Sequence, residues 1–221
     1  RSDIPYSMAL YITYCNEKFD MAEYLLKNEV KVSMCMLALM ALNCSKQAVA
    51  RVIQHLKNTD SWGPKCDDAS KALENAYSSE KDDMCDLLIQ EGISLTMKNF
   101  SNMAGNFELT LESVKKAIQY LKDIRSWDPK CDDASKALAN AFAFNHRNYD
   151  VCDLLVHEGV SLTMKNLPEL ISTGFISLES LKKAIQHLKD TDNWDPKCAD
   201  ASKALKLVNI MKKYVLHQKD L

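Results

Sequence analysis

The chain has 221 residues, of which 47% are hydrophobic and 26% are charged, a composition that supports a buried core and excludes an intrinsically disordered chain. The formal net charge is -2, so the overall balance does not favour binding to nucleic acid. Five glycines and five prolines are too few for a turn-rich β-sandwich or barrel, and the sequence predicts long stretches of helix.

The cysteines and the lack of long apolar runs indicate where in the cell the protein is located. No run of 18 apolar residues occurs, so we expect no insertion into a membrane. The eight cysteines stand singly, without the C-x-x-C pairs that mark zinc sites, and we expect reduced, mostly buried thiols. That usage favours an intracellular, cytoplasmic protein. The chain begins with Arg1, which suggests a fragment of a larger protein.

In chain order, residues 1–44 form the most diverged part, where the segment 20–26 parallels 150–156. The following part predicts four short helices from its apolar spacing. They cover 69–79, 82–90, a weaker stretch after Thr96, and 111–122. Because such short helices are marginal alone, each must bury its apolar side against its neighbours.

The helix ends carry start and stop signals. Ser177 and Asp67 precede helical segments and are predicted N-caps. Gly92 follows the second helix and predicts its end. Each Trp-x-Pro segment predicts a break, because proline lacks an amide donor and disfavours helix in the residue before it.

A twelve-residue segment occurs three times. The segment from Trp62 to Leu73 recurs at 127–138 and again at 194–205, where it has one additional substitution. The tryptophans of the three copies are 65 and then 67 residues apart. Repetition with this period predicts a solenoid, in which each unit buries its apolar side against the next.

Two segments within this period resemble ankyrin repeats. Residues 136–142 (KALANAF) resemble the opening T-P-L-H-x-A-A, and residues 151–163 (VCDLLVHEGVSLT) resemble the stretch V-V-K-L-L-L-E-H-G-A-D-V-N. The resemblance implies an all-α, ankyrin-like helical solenoid of about six to seven short helix-turn-helix repeats. A tetratricopeptide or pentatricopeptide solenoid is the alternative, although its longer helices fit the short turn between 77 and 84 less well.

The resemblance covers nearly the whole chain. We therefore expect a single repeat array over residues 1–221. Its approximate double units are 1–65, 66–130 and 131–197, followed by a C-terminal partial unit at 198–221.

No residue pattern typical of catalysis or metal binding occurs. His55 and His187 share a repeat position at which the middle copy has Tyr120, which indicates a half-exposed helix surface and not a metal ligand. The acidic pairs at 67–68 and 132–133 stand at helix starts, where carboxylates complement the helix dipole. We expect no enzymatic activity, no cofactor, no metal ion and no small-molecule ligand.

The tryptophans of the three Trp-x-Pro-Lys loops admit two interpretations. They could form a row of aromatic anchors for a partner, since tryptophan is favoured at binding hot spots. Alternatively, each ring covers the core of its own repeat and needs no partner.

The resemblance implies a non-catalytic scaffold that binds another protein through loops and first helices. Its partner-binding candidates are Trp62, Trp127, Trp194, Lys71, Glu74, Lys136 and Asn140. Two alternatives stay open: a structural spacer or regulatory arm of a larger enzyme or receptor, and a pentatricopeptide-like array that binds RNA.

Overall fold

A computed structural model describes residues 4–106, 109–144, 149–173 and 176–217. These ranges contain thirteen α-helices and no strand, so the prediction of an all-α chain is confirmed. In order, the helices are α1 (Ile4–Cys15), α2 (Phe19–Lys27), α3 (Met34–Asn43), α4 (Lys46–Asn58), α5 (Asp67–Ser78), α6 (Asp82–Gln90), α7 (Met97–Met103), α8 (Leu111–Asp123), α9 (Asp132–Phe144), α10 (Asp150–His157), α11 (Asn166–Ser172), α12 (Leu178–Asp190) and α13 (Ala199–His217).

The chain divides into two compact units, residues 1–99 and 100–221. In the first unit, α5 packs against α3 and α6, α1 packs against α2 and α3, and α6 also contacts α4. Large apolar side chains from these helices are fully buried between them and form the core of the unit. They include Leu10, Leu37, Ile53, Leu73 and Leu88.

The second unit repeats this kind of packing. In it, α11 lies against both α9 and α13, while α10 packs against α9 and α8. Its buried side chains include Phe100, Leu121, Leu138, Leu155 and Leu170. The shortest helices of this unit, α10 and α11, have 8 and 7 residues and would not be stable in isolation, so their apolar sides depend on these contacts.

Segments that recur in the sequence have recurring local structure. Helices α4, α8 and α12 each have 13 residues. Each is preceded by a hydroxyl side chain that accepts a hydrogen bond from a backbone N–H of the first turn. The caps are Ser45, Thr110 and Ser177. The predicted cap at Ser177 is therefore confirmed, and the same device begins the other two helices.

The first helix pair has the same dimensions as the third. Helices α1 and α5 have 12 residues each, and α2 and α6 have 9 each. Glu17 and Glu80, in the turns that follow α1 and α5, both have a φ of 54°. Aligning the two turns places Lys18 at the position of Lys81. The same alignment pairs Ile12 with Asn75, Met21 with Met84, and Tyr24 with Leu87.

The start of α5 differs from the prediction. Cys66, not Asp67, is the N-cap residue, and Asp67 is the first residue of the helix. The corresponding thiols of Cys131 and Cys198 accept hydrogen bonds of 3.4 and 3.3 Å from the backbone N–H groups of the third residue after each. Cysteine is an uncommon cap, which is why the neighbouring aspartate was the better sequence candidate. The acidic residues lie in the first turn of the helix, as predicted from the helix dipole.

Candidate interaction surfaces

The three tryptophans make contacts inside their own chain. The Trp127 ring packs edge-on against Phe100, with ring centroids 5.4 Å apart and an angle of 86° between the planes. The ammonium groups of Lys57 and Lys189 lie 5.9 and 5.7 Å from the ring centroids of Trp62 and Trp194. All three rings are half-buried. Trp127 therefore packs on α7, whereas Trp62 and Trp194 lie beside lysines in the last turns of α4 and α12.

The prolines of these loops lie against the glycines that end the second helices. A Cβ on Gly92 would be 3.9 Å from Pro64, and a Cβ on Gly159 would be 3.8 Å from Pro129. Both glycines have a positive φ, of 84° and 86°. The predicted helix end at Gly92 is thereby confirmed, and the proline of the Trp-x-Pro-Lys loop lies against this end of the helix.

Glu74, expected among the partner-binding residues, is buried. The whole residue is only 4% exposed. One carboxylate oxygen accepts a hydrogen bond of 3.0 Å from Nδ2 of Asn99, and the other forms an ion pair with Lys71. This corrects the expectation, because Glu74 satisfies a buried amide and does not face solvent. Lys71 itself is exposed, as a contact residue must be.

Asn140, the other polar candidate, also has an internal role. Its side-chain Nδ2 donates a hydrogen bond of 2.9 Å to the carbonyl oxygen of Ser101. The residue is half-buried, and this bond joins α9 to α7, so Asn140 is not a free contact residue. Lys136, one turn earlier on α9, is exposed.

The cysteines are less buried than predicted. All eight are free thiols, and Cys44, Cys85 and Cys152 are buried. Cys35 is exposed, and the other four are half-buried. Three of these four stand at helix starts. There the thiols of Cys131 and Cys198 accept backbone hydrogen bonds, whereas Cys66 makes no such bond. Burial raises the pKa of the Cys152 thiol to about 12.

His187 lies where the sequence predicted a half-exposed surface. Its ring is half-buried, as are His55 and Tyr120 at the corresponding positions, so this prediction is confirmed. Burial lowers the pKa of His187, and the nearby Asp190 opposes that shift. In the described part of the chain, no three or more His, Cys, Asp or Glu side chains are grouped so that they could hold a metal ion.

A surface that sequence reasoning missed lies on the first helix pair. Met8 and Ile12 on α1 are each 51% exposed, and Met21 and Tyr24 on α2 are 57% and 66% exposed. We call these four residues the α1–α2 face. The only sequence signal for it is the comparison with later copies, in which Lys71 and Asn75 stand at the positions of Met8 and Ile12. Apolar residues grouped on a surface in this way are typical of interaction sites.

A shallow pocket adjoins this face at the turn between α1 and α2. Its lining consists of Glu17, Lys18, Phe19, Asp20, Met21 and Tyr24. The pocket therefore combines apolar and aromatic surface with charges of both signs, a combination that suits a protein segment with a polar end.

Comparisons with known proteins give no neighbour for this chain. No family model, no curated protein and no solved structure matches the sequence. Within the described ranges, none of the helices has the length and apolar character needed to cross a membrane.

Proposed function

We propose that this chain is a non-catalytic scaffold for protein–protein interaction, built as a solenoid of ankyrin-like repeats. The observation that carries the proposal is the exposure of the α1–α2 face. Met21 is 57% exposed, whereas Met84, at the corresponding position of α6, is 1% exposed. A large apolar side chain that is buried in one copy and exposed in another is available for a partner.

Two other surfaces support the same function. Lys71 and Lys136 occupy the same position on α5 and α9 and are exposed in both. The half-buried tryptophans of the loops are partly exposed aromatic rings. Tryptophan contributes strongly to the binding free energy where a partner buries it. These groups provide the apolar contact and the charge that a protein-binding surface uses.

The test begins with crosslinking and affinity capture by the full chain, followed by mass spectrometry to name reproducible partners. A purified partner is then titrated calorimetrically against the wild-type chain and against a variant with Trp62, Trp127 and Trp194 all changed to Phe. Phenylalanine keeps most of the internal packing and removes the indole N–H. We expect saturable binding by the wild-type chain and weaker binding by the variant. A wild-type chain that binds no purified candidate would overturn the proposal.

A second set of variants separates the surfaces. Changing Lys71 and Lys136 to Gln removes charge from the first helices, and Met21→Glu disrupts the α1–α2 face. If the tryptophan variant binds as the wild type does while one of these loses binding, the loop edges are not the contact surface, and the scaffold function stands.

A further inference from the structure

The C-terminal ends of α1 and α3 bring two cysteine thiols into contact. Cys15 is the last residue of α1, and Cys44 directly follows the last residue of α3. The two helices pack against each other, and the side chains of Cys15 and Cys44 are hydrogen-bonded. Two thiols in such contact need only small side-chain rotations to reach the bonding distance of a disulfide.

Neighbouring groups hold both sides of this contact in place. The carbonyl oxygen of Cys44 accepts a hydrogen bond of 3.0 Å from Nζ of Lys81. The phenol of Tyr11 is hydrogen-bonded both to Cys15 and to the side chain of Asn43. These bonds tie the end of α1 to the end of α3, so the fold itself holds the two thiols together.

The contact belongs to the first helix pair and not to the repeated motif. A cysteine follows each of the three Trp-x-Pro-Lys loops, and Cys85 recurs as Cys152 in the core. Cys15 does not recur in this way, because Ser78 ends α5 where Cys15 ends α1. A serine satisfies the packing at this helix end, so what distinguishes Cys15 is the reactivity of a thiol beside a second thiol.

The two thiols differ in their access to solvent. Cys15 is half-buried, whereas Cys44 is only 4% exposed. Burial and the contact with Cys15 raise the pKa of Cys44 to about 12, and the nearby Lys81 opposes that shift. An oxidant in solution therefore reacts with Cys15 first, and Cys44 is the thiol that completes the link.

We propose that Cys15 and Cys44 form a peroxide-sensitive site, at which hydrogen peroxide converts the two thiols into a disulfide between α1 and α3. In the first step, the Cys15 thiolate attacks one oxygen of the peroxide and the O–O bond breaks. The hydroxide that leaves takes up the proton that the thiol had lost and becomes water. Cys15 is then a sulfenic acid, oxidised by two electrons.

The second step joins the two sulfur atoms. The sulfur of Cys44 attacks the sulfur of Cys15, the S–O bond breaks, and the departing hydroxide leaves as water with the proton of Cys44. Two thiols and one peroxide thus give one disulfide and two waters. The disulfide closes the chain between residues 15 and 44 and restricts the unfolded state, so it should raise the temperature of unfolding.

The test treats the reduced full chain with a small molar excess of hydrogen peroxide and blocks the remaining thiols with N-ethylmaleimide. Tryptic peptides are then mapped without reduction. We expect a dominant linked pair, residues 2–18 with residues 32–46, which dithiothreitol separates. Since residues 32–46 contain both Cys35 and Cys44, Cys35→Ser is the matched control and should form the same link.

Variants of the two cysteines test the order of the steps. Cys15→Ser introduces the residue that ends α5 and should abolish the link, as should Cys44→Ala. Dimedone, which traps sulfenic acids, should label Cys15 in the Cys44→Ala chain and leave Cys44 unlabelled in the Cys15→Ser chain. Circular dichroism verifies that each variant is folded. The linked wild-type chain should melt about 5 °C or more above the reduced chain, whereas peroxide should leave the midpoint of Cys15→Ser unchanged.

The inference is overturned if no disulfide forms, if Cys35 replaces Cys44 in the link, or if dimedone labels Cys44 and not Cys15. It also fails if the link is no more abundant in the native chain than in a chain oxidised in urea, or if non-reducing electrophoresis shows that it joins two chains. A linked chain that melts no higher than the reduced chain would equally refute it, because the native contact would not have the geometry that a disulfide needs. These outcomes leave the scaffold function in place, since the binding surfaces proposed for it include neither thiol.

Discussion

Nδ2 of Asn75 donates a hydrogen bond of 2.7 Å to the carbonyl oxygen of Ala38, and this bond joins α5 to α3. Asn140 makes the corresponding bond of 2.9 Å to Ser101. At the third copy of the motif, Leu207 stands in this place. In two of the three copies, an asparagine therefore joins its helix to the backbone of the helix two before it in the chain.

Asn75→Ala and Asn140→Ala should each lower the free energy of unfolding by about 1 kcal/mol, because each removes one partly buried hydrogen bond between helices. Urea denaturation followed by circular dichroism measures the change. Gln54→Ala is the control, since Gln54 bonds only to Asn58 on the exposed side of its own helix, and its effect should stay within about 0.5 kcal/mol. Equal losses in all three variants would contradict a special role for the two asparagines.

Glu74→Ala should destabilise the first unit by about 1–3 kcal/mol, because it leaves the buried amide of Asn99 without its acceptor. Glu74→Gln should cost less, since its carbonyl oxygen can still accept from Asn99. Lys71→Ala removes only the exposed end of the ion pair and should cost less than about 1 kcal/mol. Thermal unfolding of the three variants gives the order of their stabilities. If Glu74→Gln is as damaging as Glu74→Ala, the hydrogen bond from Asn99 is not what makes Glu74 stabilising.

Much of the helical structure was predictable because its signals are local. Helix α6 has the predicted bounds 82–90, and α8 ends one residue beyond the prediction. In both, apolar residues spaced three and four apart lie between clear start and stop signals. The cap of α5 was misplaced by one residue, because cysteine occupies the cap position and aspartate is the commoner cap. The helix predicted over 69–79 begins two residues earlier, at Asp67.

The candidate contact residues were harder to predict because burial depends on the whole fold. Glu74 and Lys71 are both polar residues on α5, yet the first faces Asn99 in the core and the second faces solvent. Met21 and Met84 are the same residue at corresponding positions, yet Met21 is exposed on α2 whereas Met84 is buried on α6, which packs against α4. No pattern within a single helix carries that information.

The cysteines should differ in their reactivity with alkylating reagents. Burial and a hydrogen bond with Cys15 raise the pKa of Cys44 to about 12, and burial raises that of Cys152 to about 12. At pH 8 both stay protonated, and the thiolate is the reactive form. We expect limited iodoacetamide treatment to modify the exposed Cys35 first and to leave Cys44 and Cys152 unmodified, as peptide mass mapping would show. Labelling after unfolding in urea should reach all of them. Early labelling of Cys152 in the native chain would contradict its burial.

Gly159→Ala should lower the free energy of unfolding by about 1–2 kcal/mol, because alanine at a φ of 86° is strained although its Cβ has room beside Pro129. Gly159→Asn should cost less, since asparagine tolerates the left-handed region. Gly63→Ala is the matched control: its Cβ would also have room, and the position does not have a left-handed φ. Differential scanning calorimetry should show the largest loss for Gly159→Ala, a smaller one for Gly159→Asn and the smallest for Gly63→Ala. An equal loss at Gly63 would show that backbone strain is not the cause.

His187 should make the second unit less stable at mildly acidic pH. Burial lowers its pKa in the folded chain, whereas the unfolded chain should titrate near the ordinary value of about 6.5. The unfolded state therefore binds more protons below that pH. Stability contributed by neutral His187 is present above about pH 6.5 and is lost as the pH falls towards the folded pKa. His187→Tyr, which introduces the residue found at this position in α8, removes the titrating group. Its thermal midpoint should fall less between pH 7.5 and 5.5 than that of the wild type, and an equal fall in both would rule out His187 as the source.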